Sequence, residues 1–472
     1  MPIKFGTEGW RAVIAEEFTF ANVRLVAQAI ADYYRHRTSR GGGPTIGVGY
    51  DGRFLSREFA QTVAQVLAGN GLTVFLSDRL VPTPAVSANV KAHHWTGGVM
   101  VTASHNPATF NGLKVKEAFG GSAEPATVAA IEAAIGRHPV KETPLGLALA
   151  KRSVRWLNFQ PAHQRALRDA VDLRAIKKLP FKVLVDSMHG AGGALVEELL
   201  AGGRCHVTTL HPDPRPDFGG LTPEPIARHL EALSREVRRT QGHVGIATDG
   251  DADRIGVMDG AGRFVSPGKL LCVLLKYLVT ERGLRGGVVT TISNTMLIER
   301  LATKWHLPLH ETPVGFKHIA KLMRSESILI GGEESGGIGV AGYLPERDGL
   351  FIGLLLLEVM AKRRRSFDQL LEELDREFGA FAAAREDVAC TADVKESFFA
   401  RLSQVPPSEL AGQALRGLKT FDGIKLIGQD DSWLLFRASG TEPIVRIYAE
   451  AATARRARAL VAWGKELAFE RR

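Results

Sequence analysis

The chain has 472 residues, 45% hydrophobic and 24% charged, and 60 Lys and Arg outnumber 51 Asp and Glu to give a formal charge of +9; this length suits about two to four domains with several cores. No apolar stretch approaches a membrane span, the opening MPIKFGTEGWRAVI lacks a signal-type apolar segment, and Cys205, Cys272 and Cys390 are too dispersed for a disulfide framework or a metal cluster, so a cytoplasmic protein is expected. The positive charge is scattered and carries no single-strand platform or finger signature, which argues against nucleic acid and membrane and leaves phosphorylated metabolites as the natural anionic partners.

Short β-rich runs predict strands at TIGVGYD (45–51), TVFLSD (73–78) and GGVMVTAS (97–104), with an amphipathic helix over 57–69. Ahead of them, the Gly-rich FGTEGWR (5–11) presents Arg11. In VMVTASHNPATFNGLK (99–114) the apolar run ends at Thr102, and Ser104, His105, an Asn-Pro turn, an Asn-Gly turn and Lys114 follow. A surface loop accounts for the turn formers. A serine that carries a covalent group accounts for a hydroxyl, an imidazole and an amine at one strand end.

The rhythm returns at FKVLVDS (181–187), HVTTL (206–210) and HVGIATD (243–249). ATDGDADRIG (247–256) then sets Asp249, Asp251 and Asp253 at alternate positions. In an extended loop alternate side chains share a side, so three carboxylates can converge on one hard cation and leave room for a phosphate oxygen, which suits Mg²⁺. An EF-hand is excluded, because Arg254 stands where that loop needs Gly and Gly260 where it needs Glu; a solvated acidic turn is the alternative.

A third set of strands is expected at GGVVTTIS (286–293) and SILIGG (327–332). TPVGFKH (312–318) presents Lys317 and His318, and GGEESGG (331–337) lets Glu333 and Ser335 face one side, where they could bind vicinal hydroxyls or simply face solvent. Strand–helix alternation predicts parallel sheets covered by helices, with ligands beyond the carboxyl ends of the strands. The last quarter differs. DGIKLIG, SWLLFRAS and IVRIYAEA are closely connected, which favours antiparallel pairing, and a helical tail follows over 453–471. RASGTEP (437–443) offers Arg437, Ser439, Gly440 and Thr441 to one phosphate, with Arg446 as a second cation; an ordinary hairpin turn fits equally. GAGGAL (190–195) lacks the third glycine of a dinucleotide fingerprint, and His189 beside it is read as structural.

In this order the Arg11 loop, TASHNP, DGDADR, GEESGG and RASGTEP resemble the α-D-phosphohexomutase superfamily, its phosphoglucomutase/phosphomannomutase group, from Phe5 to Arg446. The resemblance implies three α/β mixed-sheet domains and a smaller C-terminal α+β domain around a central cleft, here 1–148, 149–258, 259–374 and 375–472, each mixed sheet with an antiparallel strand. It implies that Ser104 is a phosphoserine on an exposed loop and completes a Mg²⁺ site with Asp249, Asp251 and Asp253. Lys114 is then the general acid/base, His105 and Arg11 lie beside the reacting phosphate, and Arg254 reaches toward Ser104. Glu333 and Ser335 hold the sugar's O3 and O4, Lys317 and His318 contribute to substrate binding, and Arg437, Ser439, Gly440, Thr441 and Arg446 grip the non-reacting phosphate.

The implied reaction interconverts hexose 1-phosphate and hexose 6-phosphate through a hexose 1,6-bisphosphate, which also serves as primer, in a monomer or homodimer. Gly336-Gly337 replaces the Gly-His of many bacterial relatives, and GFKH and PERDG (345–349) favour glucose phosphate, then mannose phosphate, over glucosamine phosphate. Three alternatives stand beside this reading: a phosphoglucosamine mutase, a phosphotransferase using Asp251 as acceptor, and a non-catalytic sugar-phosphate-binding regulator.

Overall fold

Three mixed sheets and one antiparallel sheet follow one another along the chain; the computed structural model describes residues 3–6, 9–37, 42–438 and 444–469. In the first sheet, strands Gly97–Val101, Thr45–Tyr50, Thr73–Ser77 and Val154–Leu157 lie parallel, and Phe110–Glu117 returns antiparallel on Gly97–Val101. Trp10–Val13 pairs antiparallel with that return strand and places Arg11 opposite Gly112.

The second sheet repeats the scheme. His206–Leu210, Lys182–Asp186 and Val244–Thr248 are parallel, and Ile255–Met258 returns antiparallel. In the third, Leu309–Thr312, Gly287–Thr291 and Ile328–Gly332 are parallel, and Ile338–Val340 returns. The strands expected from β-rich runs are therefore present. The return strands were hard to read for a physical reason: FNGLKVKE opens on a turn signal, and IGVM and IGV are only 4 and 3 residues long.

Two sheets extend past the residues at which the sequence divides. Val154–Leu157 pairs in the first sheet beyond residue 148, and Phe264–Val265 pairs with Ile255–Met258 in the second beyond residue 258. The fourth sheet is wholly antiparallel in the order Ala382–Ala389, Ile444–Ala451, Trp433–Ala438, Ile424–Gly428, Leu415–Lys419, as its short connections require.

The first sheet packs its own core around Val23, Ile30, Val48, Phe59 and Val99. The second and third sheets share one continuous core through helix Gly349–Arg363, which is buried from Gly349 to Ala361. The fourth meets the third where Ile427, Trp433, Leu435 and Tyr448 cover Ile292 and Met296. Two buried polar groups fix this contact: Lys425 donates to the Ile292 carbonyl at 2.7 Å, and Glu450 accepts from the Met296 amide at 2.9 Å and the Trp433 indole at 3.1 Å. Burial pushes the Lys425 amine down to about 8 and the Glu450 carboxyl upward. The three cysteines are free. Among the described residues no helix is long and apolar enough to cross a membrane.

Three consecutive charged residues ahead of the buried helix join the α/β units. Glu346 pairs with Lys116 of the first sheet's return strand, and Lys116 also donates to Ser122 at 3.0 Å. Arg347 donates to Asp253, at the end of the second sheet's motif loop, at 2.6 Å. Asp348 caps the helix at the Leu350 and Phe351 amides and bonds His163 at 2.7 Å. Removing one partner of a buried pair strands the other charge, whereas replacing both removes the burden. Lys116→Met is therefore expected to destabilise the protein by about 3–5 kcal/mol, and Lys116→Met with Glu346→Leu to recover most of that loss. Denaturant midpoints of the three proteins check this.

Candidate active site

Ser104 sits immediately beyond strand Gly97–Val101 with φ at +53°, in the left-handed region. That conformation costs an L-residue about 1–2 kcal/mol and persists only where neighbours enforce it. Arg53 is the enforcer. Its buried guanidinium donates to four carbonyls of the loop: Ser104 and Asn106 at 2.7 Å each, Pro107 at 2.8 Å and Phe110 at 3.0 Å. Asp51 orients Arg53 from 3.3 Å and also accepts from Thr102 Oγ1 at 2.6 Å and Ser56 Oγ at 2.8 Å. The expectation that Ser104 lies on an exposed loop is corrected: it is fully buried, because the second unit's loop closes over it.

That closing loop is DGDADR, at the carboxyl end of Val244–Thr248. Ser104 Oγ donates to Asp249 Oδ2 at 2.7 Å and stands 3.5 Å from His105 Nδ1. Gly250 permits the approach, since a Cβ there would stand 2.5 Å from the Ser104 carbonyl oxygen. Lys114, on the return strand, donates to Asp251 Oδ2 and Asp253 Oδ2, both at 2.6 Å. Thr83 adds a hydroxyl to Asp251 at 2.5 Å. Arg11 donates to Asn106 Oδ1 at 2.7 Å, and the Arg254 amide to Asp249 Oδ1 at 3.1 Å.

The three aspartates are fully buried and each offers a carboxylate oxygen within 4.8 Å of the others. Burial and the charges of Asp251 and Asp253 hold Asp249 well above the usual carboxylate range. Burial also pushes Asp253 upward, but Arg347, Lys114 and Arg254 outweigh it and hold Asp253 well below that range. For Asp251, burial and Asp253 are overcome by Lys114 and by the hydrogen bonds from Lys114 and Thr83, with a net lowering. Burial, with Arg254 and Arg11, holds His105 well below the ordinary imidazole value and therefore neutral. Among the described residues, neither Asp251 Oδ1 nor Asp253 Oδ1, both buried, has a hydrogen-bond partner. Such orphaned anionic oxygens, beside a serine hydroxyl, suit a small hard cation.

The third motif loop enters from the other side. Glu333 is 4% exposed, and its Oε2 stands 3.4 Å from Arg347, the residue that also holds Asp253. Ser335 Oγ is buried and has no hydrogen-bond partner among the described residues. A second group of predicted residues gathers where the third and fourth sheets meet. Arg437 lies opposite Arg446, and Arg446 opposite Asp387, on the sheet face that also carries Leu435 and Tyr448. Asp422 accepts from Arg437 at 3.0 Å and from the Val314 amide at 2.7 Å, which ties the arginine to the loop ahead of Lys317 and His318. Burial and Lys317 lower the His318 imidazole. Ser439, Gly440 and Thr441 lie outside the described residues.

The structure thus brings Ser104, His105, Lys114, the three aspartates and Arg254 together. Glu333 joins them through Arg347, and Arg11 through Asn106. Sequence reasoning missed Arg53, Asp51, Thr83 and Arg347. The available signals were YDGRF (50–54), another polar turn after a strand, and the charged run in PERDG. Chemically, the arrangement offers a hydroxyl held by a carboxylate, an oxygen cage for a cation, and fixed cations around both, the parts that phosphoryl transfer requires.

Family sequence models match four successive stretches. Those described as phosphoglucomutase/phosphomannomutase alpha/beta/alpha domains I, II and III match residues 2–140, 161–262 and 266–378, and the C-terminal domain matches 402–462. A protein of Thermococcus kodakarensis named phosphoglucomutase/phosphomannomutase is 30% identical over 99% of this chain and 98% of its own. A protein of Methanothermobacter thermautotrophicus named a probable phosphoglucosamine mutase is 31% identical over 97% and 96%. Among solved structures, a Thermus thermophilus protein assigned provisionally as a phosphomannomutase superposes with a TM-score of 0.86 at 34% identity, covering 99% of both chains. The Aspergillus fumigatus N-acetylphosphoglucosamine mutase, solved with GlcNAc-6P and magnesium, shares the fold at 16% identity and a TM-score of 0.62, covering 99% of this chain and 95% of its own.

If Arg53 enforces the serine loop, Arg53→Met removes charge-assisted bonds to four carbonyls. Each such bond contributes about 1.5–3 kcal/mol, so local opening should become at least ~10-fold more frequent. Hydrogen exchange at the Asn106 and Phe110 amides, which bond Ala103 and Pro107 across the loop, should speed up accordingly, while exchange in the fourth sheet stays unchanged.

Proposed function

Because the chain belongs to the phosphoglucomutase/phosphomannomutase family and is a phosphohexomutase, we propose that it interconverts hexose 1-phosphate and hexose 6-phosphate through a phosphoserine at Ser104, with glucose and mannose phosphates as its substrates. The observation that carries this reading is the Ser104 hydroxyl, 2.7 Å from Asp249 inside a buried cage of carboxylates, lysine and arginine.

Asp249, Asp251, Asp253 and Ser104 would hold Mg²⁺, and the two partnerless carboxylate oxygens support that assignment. Bound there, the ion would offset negative charge on the phosphoryl group and on the serine oxygen. The chain's own residues account for the rest. Ser104 passes its phosphoryl group to the free hydroxyl of a hexose monophosphate, which becomes the 1,6-bisphosphate; the bisphosphate turns over, and its other phosphoryl group returns to the Ser104 oxygen, releasing the isomeric monophosphate. Lys114 Nζ takes the proton of the attacking hydroxyl in the first half-reaction and returns it to the departing sugar oxygen in the second. Arg11, His105 and Arg254 surround the reacting phosphate. Glu333 and Ser335 hold vicinal hydroxyls, and Arg437 and Arg446, with the loop that contains Ser439, Gly440 and Thr441, hold the phosphate that is not reacting. Lys317 and His318 border the same side. Burial of Ser104 keeps water from its phosphoester.

The names of the relatives favour a second reading for the sugar, glucosamine phosphate. Glucose and mannose differ at C2, and a grip on O3 and O4 does not read that carbon.

The test is conversion of glucose 1-phosphate, mannose 1-phosphate and glucosamine 1-phosphate to the 6-phosphates, with Mg²⁺ and trace glucose 1,6-bisphosphate. Wild type is expected to convert glucose and mannose phosphates fastest. Ser104→Ala is expected to be inactive on all three, and EDTA to abolish wild-type turnover until Mg²⁺ is restored. Fastest turnover of glucosamine phosphate would establish the second reading. Equal rates for wild type and Ser104→Ala would show that Ser104 does not carry the phosphate.

A further inference from the structure

Arg347 is 2% exposed and stands between two loops to which the proposed reaction gives different tasks. One terminal nitrogen donates to Asp253 Oδ2 at 2.6 Å, and the other stands 3.4 Å from Glu333 Oε2. The guanidinium lies 5.4 Å from the centroid of the Phe316 ring. Its aliphatic stem crosses Gly337: a Cβ there would stand 2.3 Å from Arg347 Cδ and 3.1 Å from Glu333 Oε2.

We propose that Arg347 is a positioning residue whose single guanidinium fixes Asp253 of the aspartate loop and Glu333 of the sugar loop at a set separation, with glycine at 337 as the space its side chain requires. The inference rests on the reading of Glu333 as a ligand of the sugar hydroxyls. Three observations carry it. A guanidinium is a rigid planar fork, so it can hold two carboxylates in one fixed relation where a lysine offers one compact charge on a flexible stem. The main chain at 347 cannot drift, because Glu346 is held by Lys116 and Asp348 by His163 and the helix it caps. And the site joins a loop after Val244–Thr248 to a loop after Ile328–Gly332 whose main chains meet where the Ile255 amide donates to the Gly336 carbonyl at 3.1 Å, a contact that sets the backbones and leaves the two carboxylates to the side chain between them. Since small misplacements of reacting groups reduce rates steeply, a side chain that spans both loops acts on substrate alignment without touching the substrate.

Arg347→Lys, Arg347→Met, Gly337→Ala, Glu333→Gln and the double variant Arg347→Met/Glu333→Gln test this through KM and kcat for the hexose 1-phosphate that wild type converts, calorimetric Mg²⁺ affinity, and the unfolding midpoint. Arg347→Lys should keep its Mg²⁺ dissociation constant within about 3-fold of wild type yet raise KM about 10-fold or more, and Gly337→Ala should raise KM similarly. Arg347→Met should raise KM in the wild-type background but by less than about 3-fold in the Glu333→Gln background, because the two act as one unit. A wild-type KM in Arg347→Lys, or full multiplication of the two losses in the double variant, overturns the inference. So does a joint loss of Mg²⁺ affinity, substrate affinity and unfolding midpoint in Arg347→Lys, which marks a general structural role. Those results arise in an active wild type. A wild type inactive on every hexose phosphate would remove the reading of Glu333 itself, and this inference with it.

Discussion

Three aspartates fully buried within a few ångströms of one another set the terms for the rest of the molecule. Taken alone the cluster is unstable, since each carboxylate raises the energy of the others and none has water to screen it. The remedy comes from all three α/β units. Lys114 arrives from the first sheet's return strand and Thr83 from a helix of the same unit, Arg254 is supplied by the loop itself, and Arg347 arrives from the third unit. The units are held in their relation partly because the acidic loop needs counter-charges that no single sheet provides. The remaining imbalance is concentrated on the two carboxylate oxygens without partners.

The convergence of the loops follows from a topological repeat. In each α/β unit a parallel strand ends in a motif loop, and the chain turns back as an antiparallel neighbour: 102–109 in the first, 249–254 in the second, 333–337 in the third. RASGTEP occupies the equivalent connection between Trp433–Ala438 and Ile444–Ala451. Such a loop starts at the carboxyl end of a central strand, where ligands sit in open sheets, and its return strand can bring further side chains back to the same place. Lys114 is the clearest case, carried to the aspartates by the strand that leaves the serine loop.

This repeat explains what could be read in the sequence. Strands rich in Val, Ile and Thr and ending in Gly, Asp or Ser announce themselves locally, and so do Ser104 and the alternating aspartates, whose chemistry is written within a few residues. Arg53, Arg347, Lys116 and Glu346 do not, because their work depends on partners supplied by other segments. An arginine read alone is a surface residue on average; only the fold shows that Arg53 grips four carbonyls of a distant loop. The return strands were hidden by their own local sequence. One opens on an Asn-Gly turn signal, and the other two are only 4 and 3 residues long, too short for a period to show.

The strained, buried serine also bears on how a mutase reaction can run in such a site. Ser104 is held by Arg53 through its carbonyl, by Thr102 through its amide and by Asp249 through its hydroxyl, so its oxygen has little freedom to search for a second phosphate. In the proposed reaction the sugar must therefore do the moving, presenting first one end and then the other to a stationary serine. That demands a grip indifferent to direction. In the proposed reaction Glu333 and Ser335 would provide it by holding vicinal hydroxyls near the middle of the ring, and Arg437 and Arg446, opposite one another on adjacent strands, would provide it for whichever phosphate is turned away. A rigid nucleophile and a tolerant substrate grip are then two sides of one requirement, and the rigidity originates in Arg53, Thr102 and Asp249, which hold the serine by its carbonyl, amide and hydroxyl.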